Sequence, residues 1–203
     1  MTKKESLMRA AKELFSELGY EGTTFKKISD RAGVALGLLS HHFGSKERLF
    51  LAASLEVLDK QYEHVCRESL RGESGLEKVM LFSRSYLDFA SDPENCYRML
   101  PLCAPHCVAQ EAGKARLNAG YIRLDILLEH LIAEGKADGT VAADAPSSMA
   151  NVITCTLMGV MRLCLLTSCA PAGLKEDTLA AMRRALVTVN TLTGCNPSNP
   201  QVN

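Results

Sequence analysis

The chain has 203 residues, with 23 Lys and Arg against 23 Asp and Glu, so its formal net charge is zero. Apolar residues make up 47% and charged residues 23%, the proportions of a folded globular protein, which excludes wholesale disorder. A balanced total argues against a nucleic-acid binder only until the distribution of the charge is known.

The N-terminal segment MTKKESLMRAAKELF is charged and amphipathic and has neither the apolar run nor the cleavage site of an export signal. A cytoplasmic location is therefore expected, with the eight cysteines (66, 96, 103, 107, 155, 164, 169 and 195) mostly reduced. They form no CxxC pair, which argues against a zinc ribbon or a thioredoxin-type motif.

The apolar periodicity is helical almost throughout. Leu7, Ala11, Leu14, Phe15 and Leu18 form one stripe, and Gly19 supplies a stop. Thr23 or Thr24 caps a second helix containing Phe25, Ile28 and Ala32, which Gly33 ends. A third runs from Leu36 to about His42. Ser45 caps a fourth that carries Leu51, Leu55, Leu58, Tyr62 and Val65 and continues to about Leu70. RGESG (71–75) breaks the chain before a helix over Leu76–Ala90, and Asp92-Pro93 starts a short one reaching Leu100. Pro101 and Pro105 enclose an irregular corner. Leu117, Tyr121, Leu124, Leu128 and Leu131 define the next helix, and Gly135 and Gly139 mark a loop after it.

Pro146 opens an apolar helix that includes VITCTLMGVMRLCLLTSC (152–169). Its length suits a membrane span, but Arg162 and several hydroxyl and Gly residues interrupt it, so a fully buried helix of a soluble protein is expected. Pro171 and Gly173 end it, and Leu179, Met182, Leu186 and Val189 define a last helix. The tail CNPSNPQVN (195–203) is expected to be disordered. No convincing run alternates with period two and no repeat appears, so the fold class is all-α.

Charge is unevenly placed. Residues 1–48 hold nine basic and six acidic side chains, a balance of +3, and the remaining 155 residues hold 14 basic against 17 acidic, a balance of −3. The basic part contains three short helices with a Gly-bearing turn, Ala32-Gly33-Val34-Ala35-Leu36-Gly37, between the second and third. This is the pattern of a helix-turn-helix. Gly33 supplies a left-handed conformation, and Val34 and Leu39 can plug the core. Leu36, Gly37, Leu38, Ser40, His41 and His42 are left near the surface of the third helix.

Ala10-Ala11, Leu14-Phe15, Gly19-Tyr20, Thr23-Thr24, Ile28, Ala32-Gly33-Val34, Gly37, Leu39, His42-Phe43, Ser45-Lys46-Glu47 and Leu49 occur here in order and without a gap. With these residues the chain resembles the N-terminal domain of the TetR family of transcriptional regulators. The resemblance implies a helix-turn-helix DNA-binding domain over 1–46 and a larger helical ligand-binding and dimerisation domain over 47–194. It implies that Thr24 caps the second helix and approaches a phosphate, and that Lys26 and Lys27 add backbone contacts. Lys46 would hold a phosphate at the N-terminus of the fourth helix, with His41 and His42 against the DNA backbone. A solvated helix face is the plainer reading of Lys26 and Lys27.

Ala35, Leu36, Leu38 and Ser40 depart from the family's polar and Tyr residues at these positions. The third helix has no Arg, Asn or Gln for bidentate base readout. Leu36 and Leu38 could meet thymine methyls and Ser40 a base or a phosphate. The alternative is a degenerate binder that reads backbone and shape.

The resemblance also implies the partners: double-stranded operator DNA in a palindrome, a small-molecule effector, and a second copy of the chain. The copies would join through the last two helices, about 146–168 and 174–193, which could also pack only within their own chain. No cofactor, structural metal or membrane is expected, and repression is the family default. Candidate effector contacts are Tyr86, Phe89, Met99, Tyr121, Leu124, Met158 and Arg162, any of which could instead be ordinary core. Arg162 stands out because its sequence neighbours are apolar.

Three other readings compete. Cys96, Cys103, His106 and Cys107 could make the protein a metal- or thiol-responsive regulator, although their spacing matches no standard site. No Ser/His/Asp arrangement, phosphate-binding Gly loop or paired carboxylate motif is visible, so no enzyme is expected. Loss of polar groups from the third helix would suit a protein that has given up DNA binding.

Overall fold

The computed structural model describes residues 2–102, 111–142, 146–167 and 170–187. Among these residues it is helical and has no strand, as an all-α sequence predicts. The N-terminal unit consists of α1 (Lys3–Gly22), α2 (Phe25–Ala32) and α3 (Leu36–Phe43). Then follow α4 (Lys46–Ser69), α5 (Gly75–Ser91), a 3₁₀ turn (Pro93–Asn95), α6 (Met99–Leu102), α7 (Glu111–Ala137), α8 (Pro146–Leu166) and α9 (Leu174–Val187).

Local chemistry sets most of these boundaries. Thr2 opens α1 with a capping box: its hydroxyl accepts from the Glu5 amide at 3.2 Å, and its own amide donates to Glu5 Oε2 at 2.8 Å. Thr24, Ser45 and Ser74 cap α2, α4 and α5 by accepting from the amide three residues on. Gly33 closes α2 in the left-handed region (φ 64°, ψ 35°). The Ala35 side chain cannot cap, and α3 starts without a side-chain hydrogen bond.

Several boundaries differ from expectation. Gly19 does not stop α1 but kinks it: at φ 69° and ψ −177° its carbonyl leaves the helical ladder, and helix resumes to Gly22. Buried Thr23 holds the kink, its hydroxyl 2.7 Å from the Gly19 carbonyl and 3.0 Å from that of Leu14. Gly135 lies inside α7 rather than in a loop. A Cβ on Gly75 would stand 2.1 Å from the Cα of Gly135, so the two glycines let α5 and α7 cross with their backbones in contact. The Gly75 amide donates to Asp138 Oδ2 and the Leu76 amide to Thr140 Oγ1, so the loop after α7 caps the start of α5. The Thr140 hydroxyl and the Gly75 and Thr140 amides hold the Asp138 carboxyl below its usual range. The short helix expected after Asp92 is one 3₁₀ turn ended by Cys96 at φ 55°, and the helix proper begins at Met99.

One apolar core runs from Leu7 to Leu186. In the N-terminal unit Phe15, Tyr20 and Phe50 pack ring on ring, with centroids 5.2–6.0 Å apart, and tie α1 to α4. Helix α4 packs against α1 on one side and against α5 and α7 on the other, so a single element spans the two parts. The apolar helix α8 is not fully buried. Val152 and Met158 are exposed, and only 28% of its most apolar stretch lies inside the chain. By length and composition α8 could cross a membrane. The last helix is described to Val187, and 188–193 and the tail 195–203 lie outside the described residues.

Candidate nucleic-acid interface and effector cavity

Leu39 and Phe43 anchor α3 in the core, and Val34 packs against that core from the turn. The opposite face of α3 is open: Leu36, Gly37, Ser40, His41 and His42 are exposed, with the two imidazoles edge to face at 5.5 Å. Leu38 is half-buried and so less available than expected. Thr24 and Lys26 are exposed at the start of α2. Lys27 is exposed as well, but its Nζ donates to the Gly22 carbonyl at 2.7 Å, where it satisfies the end of α1. Lys46 lies over the Tyr20 ring at 4.1 Å and donates to the Tyr20 carbonyl at 3.1 Å.

Much of the positive charge in this unit is already paired. Arg31 binds Glu17 through both guanidinium nitrogens (2.9 and 3.0 Å) and also approaches Glu13. The hydrogen bond from Arg31 holds the Glu17 carboxyl below its usual range. Lys12 is buried against Glu56 at 3.1 Å. Arg48, which no motif singled out, is exposed beside Gly44 at the end of α3.

The larger part contains a cavity of about 290 Å³, lined among the described residues by Tyr97, Leu100, Pro101, Tyr121, Met158, Gly159 and Arg162. Behind its wall the hydroxyls of Tyr86 and Tyr97 stand 2.7 Å apart. Burial pushes Tyr86 up to about 12, and burial likewise raises Tyr97 and Tyr121, so all three are neutral phenols in the physiological range. Tyr97 also borders a second cleft, of about 310 Å³, whose far wall is Glu13, Ser16 and Glu17 of α1. There Ser16 Oγ donates to the Cys96 carbonyl at 2.9 Å, a bond between residues 80 positions apart.

Comparison with known proteins places this architecture. Residues 7–53, which run from α1 into α4, match the family model described as bacterial regulatory proteins, tetR family. The HTH-type transcriptional repressor KstR2 of Rhodococcus jostii is 33% identical over 153 residues, which cover 73% of this chain and 72% of that protein. The chain belongs to the TetR family. The HTH-type transcriptional repressor AcnR of Corynebacterium efficiens is 28% identical over 176 residues, 85% of this chain and 87% of that protein. The fold is also that of FadR from Bacillus subtilis, solved in complex with stearoyl-CoA: the TM-score is 0.76 at 18% identity, over 90% of this chain and 99% of that one. These TetR-like relatives are transcriptional regulators, not enzymes, and this chain is a helix-turn-helix transcriptional regulator of the same family.

Within this TetR frame the sequence-derived site residues divide. Tyr121, Met158 and Arg162 meet at the cavity. Tyr86, Phe89, Met99 and Leu124 are at most 5% exposed and belong to the core around it. Arg162 is exposed, not enclosed by apolar groups, and its Nη1 reaches the Pro101 carbonyl at 3.5 Å. Of the cysteine-histidine group, Cys96 is buried, and burial raises its thiol. Cys103, His106 and Cys107 lie outside the described residues. Sequence reasoning did not pick out Tyr97, the Ser16–Cys96 bond, Gln61 or Asp125. A polar residue in a helical stripe normally marks a solvated face, so nothing flagged the last two.

Proposed function

We infer that the protein is a homodimeric repressor that holds a palindromic operator and releases it when a small molecule fills the cavity. The observation that carries this is the α2–α3 face. Thr24 presents the amide end of α2, and the exposed row Leu36, Gly37, Ser40 and His41 projects from a helix anchored by Leu39 and Phe43. A helix N-terminus binds phosphate, and an exposed helix of this length fits a major groove. Thr24, Lys26, Lys27, Lys46 and the two histidines make the backbone contacts in this reading, while Leu36, Gly37, Leu38 and Ser40 face the bases. Residues 1–46 form the DNA-binding unit and 47–194 the effector and dimerisation unit, in the cytoplasm.

The exposed apolar side of α8, with Val152 and Met158, and exposed Val187 on α9 support a four-helix contact between two copies. Two recognition helices about 34–36 Å apart would then read successive major grooves. That KstR2 and AcnR are repressors by name supports repression. That FadR was solved in complex with stearoyl-CoA supports a small-molecule effector. Because Tyr97 borders both the cavity and the cleft against α1, a ligand that displaces it acts on the DNA-binding unit through Ser16 as well as along α4. By linkage the effector weakens DNA binding by the factor by which DNA weakens effector binding.

A mobility-shift titration with the DNA upstream of the protein's own gene, paired with light scattering, tests this. The expected result is a dimer whose affinity falls steeply with salt. A monomer in light scattering, or no DNA binding at low salt, would refute it.

A further inference from the structure

Among the described residues the cavity beside α8 is lined by two phenols, apolar side chains, one glycine and a single charged group, the guanidinium of Arg162. That guanidinium is little used within the chain. Its hydrogen bond to the Pro101 carbonyl is 3.5 Å long, at the outer limit for such a bond, and it has five N–H groups to give. No described carboxylate pairs with it. Residues 103–110, which follow the cavity's Pro101 in the sequence, contain no Asp or Glu that could do so.

The rest of the wall is neutral. The Tyr97 hydroxyl stands 2.7 Å from that of Tyr86, with Gln61 behind them as a looser partner of both. Burial keeps Tyr97 and Tyr121 protonated, so neither ring brings a negative charge to the cavity. Asp125 acts on Tyr86 behind that wall and does not line the cavity. The ionic character of the site therefore comes from Arg162 alone. An apolar wall with one unspent cation selects an apolar body that carries one negative head, and the planar fork of a guanidinium matches a carboxylate through two parallel hydrogen bonds. At about 290 Å³ the cavity is at the small end of ligand sites, which run from about 300 to 1,000 Å³, so it encloses a compact acid rather than a long or carrier-bound one.

We propose that the effector of this cavity is a small apolar carboxylic acid bound as its anion, with its carboxylate on the Arg162 guanidinium and its aryl or alkyl body against Tyr97, Leu100, Tyr121 and Met158. The proposal rests on the assignment of this cavity as the effector site and adds the ligand's charge and size. Arg162 is exposed, so water and salt screen part of the attraction and the preference for an anion is modest.

The test is calorimetry on the full chain without DNA. It compares 3-phenylpropanoate and octanoate with their uncharged isosteres, 3-phenylpropanamide and octanamide. At least one acid is expected to bind, about tenfold or more tightly than its amide, and added salt should narrow the gap. Arg162→Gln is expected to cost the acid that tenfold, with the amide and the unfolding temperature unchanged. Arg162→Lys keeps the charge but not the fork and should fall between the two. No heat with either acid, an amide that binds as tightly as its acid, or an Arg162→Gln variant that still prefers the acid overturns the proposal. So does an Arg162→Gln variant that loses acid and amide equally, since that is the mark of a purely structural arginine. An acid that binds through Arg162 but leaves operator affinity unchanged would refute release through the cavity and leave the anion site standing. Operator release by other compounds, with neither acid bound, would refute the anion site and leave the regulator standing.

Discussion

Two adjacent threonines separate folding from DNA contact. Thr23 is fully buried and its hydroxyl serves the Gly19 and Leu14 carbonyls, whereas Thr24 is exposed and caps α2 through the Lys27 amide at 3.2 Å. Thr23→Val keeps the volume and leaves the kinked Gly19 carbonyl unpaired, a cost of about 1–3 kcal/mol. Thr24→Ala loses the cap, about 1 kcal/mol. Thr24→Asp keeps the cap, since Asp is at least as good an N-cap as Thr and its charge suits the helix dipole. The same charge would face phosphate, and like charges at an interface cost about 3 kcal/mol or more, a loss of at least about a hundredfold in affinity. Urea unfolding followed by far-UV circular dichroism reads stability, and fluorescence anisotropy with operator DNA reads binding. The expected pattern is crossed: Thr23→Val is unstable but binds when folded, and Thr24→Asp is stable but does not bind. A Thr24→Asp protein that binds like wild type would show that the start of α2 does not approach phosphate. A Thr23→Val protein of undiminished stability would show that the hydroxyl bridge does not hold the kink.

Gly75→Ala would place a Cβ 2.1 Å from the Gly135 backbone, more than 1 Å inside ordinary contact, so α5 and α7 must part. A loss of about 3 kcal/mol or more in urea is expected, and an unchanged midpoint would disprove the close crossing. Lys46→Gln should reduce the magnitude of the salt slope of DNA binding by about 1, because one phosphate contact is lost; an unchanged slope would mean that Lys46 stays on Tyr20 in the complex. The Glu17 carboxyl is held below its usual range by Arg31, so it binds protons less readily folded than unfolded. Its stabilisation is present above the ordinary carboxylate range and lost as pH falls through the lowered value. Glu17→Gln should therefore flatten the acid limb of the stability curve, and an identical acid limb would remove Arg31–Glu17 from the account.

The N-terminal unit was legible because its signals are local. A cap acts three residues on, and Gly33 needs only its own φ to end α2. What the sequence concealed depends on partners far along the chain. Gly135 looked like a loop residue, and the reason it is helical is Gly75, 60 positions earlier. Lys46 looked like a free cation, but Tyr20, 26 positions away, draws it in. In the cavity, periodicity found the apolar neighbourhood but could not tell lining from core. Met158 and Met99 carry the same side chain, one exposed beside the cavity and the other fully buried. Gln61 sits at a helical position where polarity normally means solvent, and only its full burial against the Tyr86–Tyr97 pair shows otherwise.

The zero net charge also acquires a physical meaning from these contacts. The +3 of residues 1–48 counts Arg31 and Lys12, yet both spend their charge on Glu17 and Glu56 within the protein. What is left for DNA on the α2–α4 side is Lys26, Lys27, Arg48 and a partly engaged Lys46, a small set per subunit. Each phosphate contact adds about 0.9 to the salt slope, so one copy of the chain would bind DNA weakly at physiological salt. Two copies joined through α8 and α9 would double the contacts and fix their spacing, so the second half-site binds at high effective concentration. In the proposed dimer the exposed apolar side of α8 is covered and the thin positive charge of each copy is doubled, so a variant such as Val152→Asp, which lies on that side and away from the cavity, should abolish operator binding without touching a DNA-facing residue. A monomeric Val152→Asp protein that binds operator at wild-type affinity would contradict this coupling.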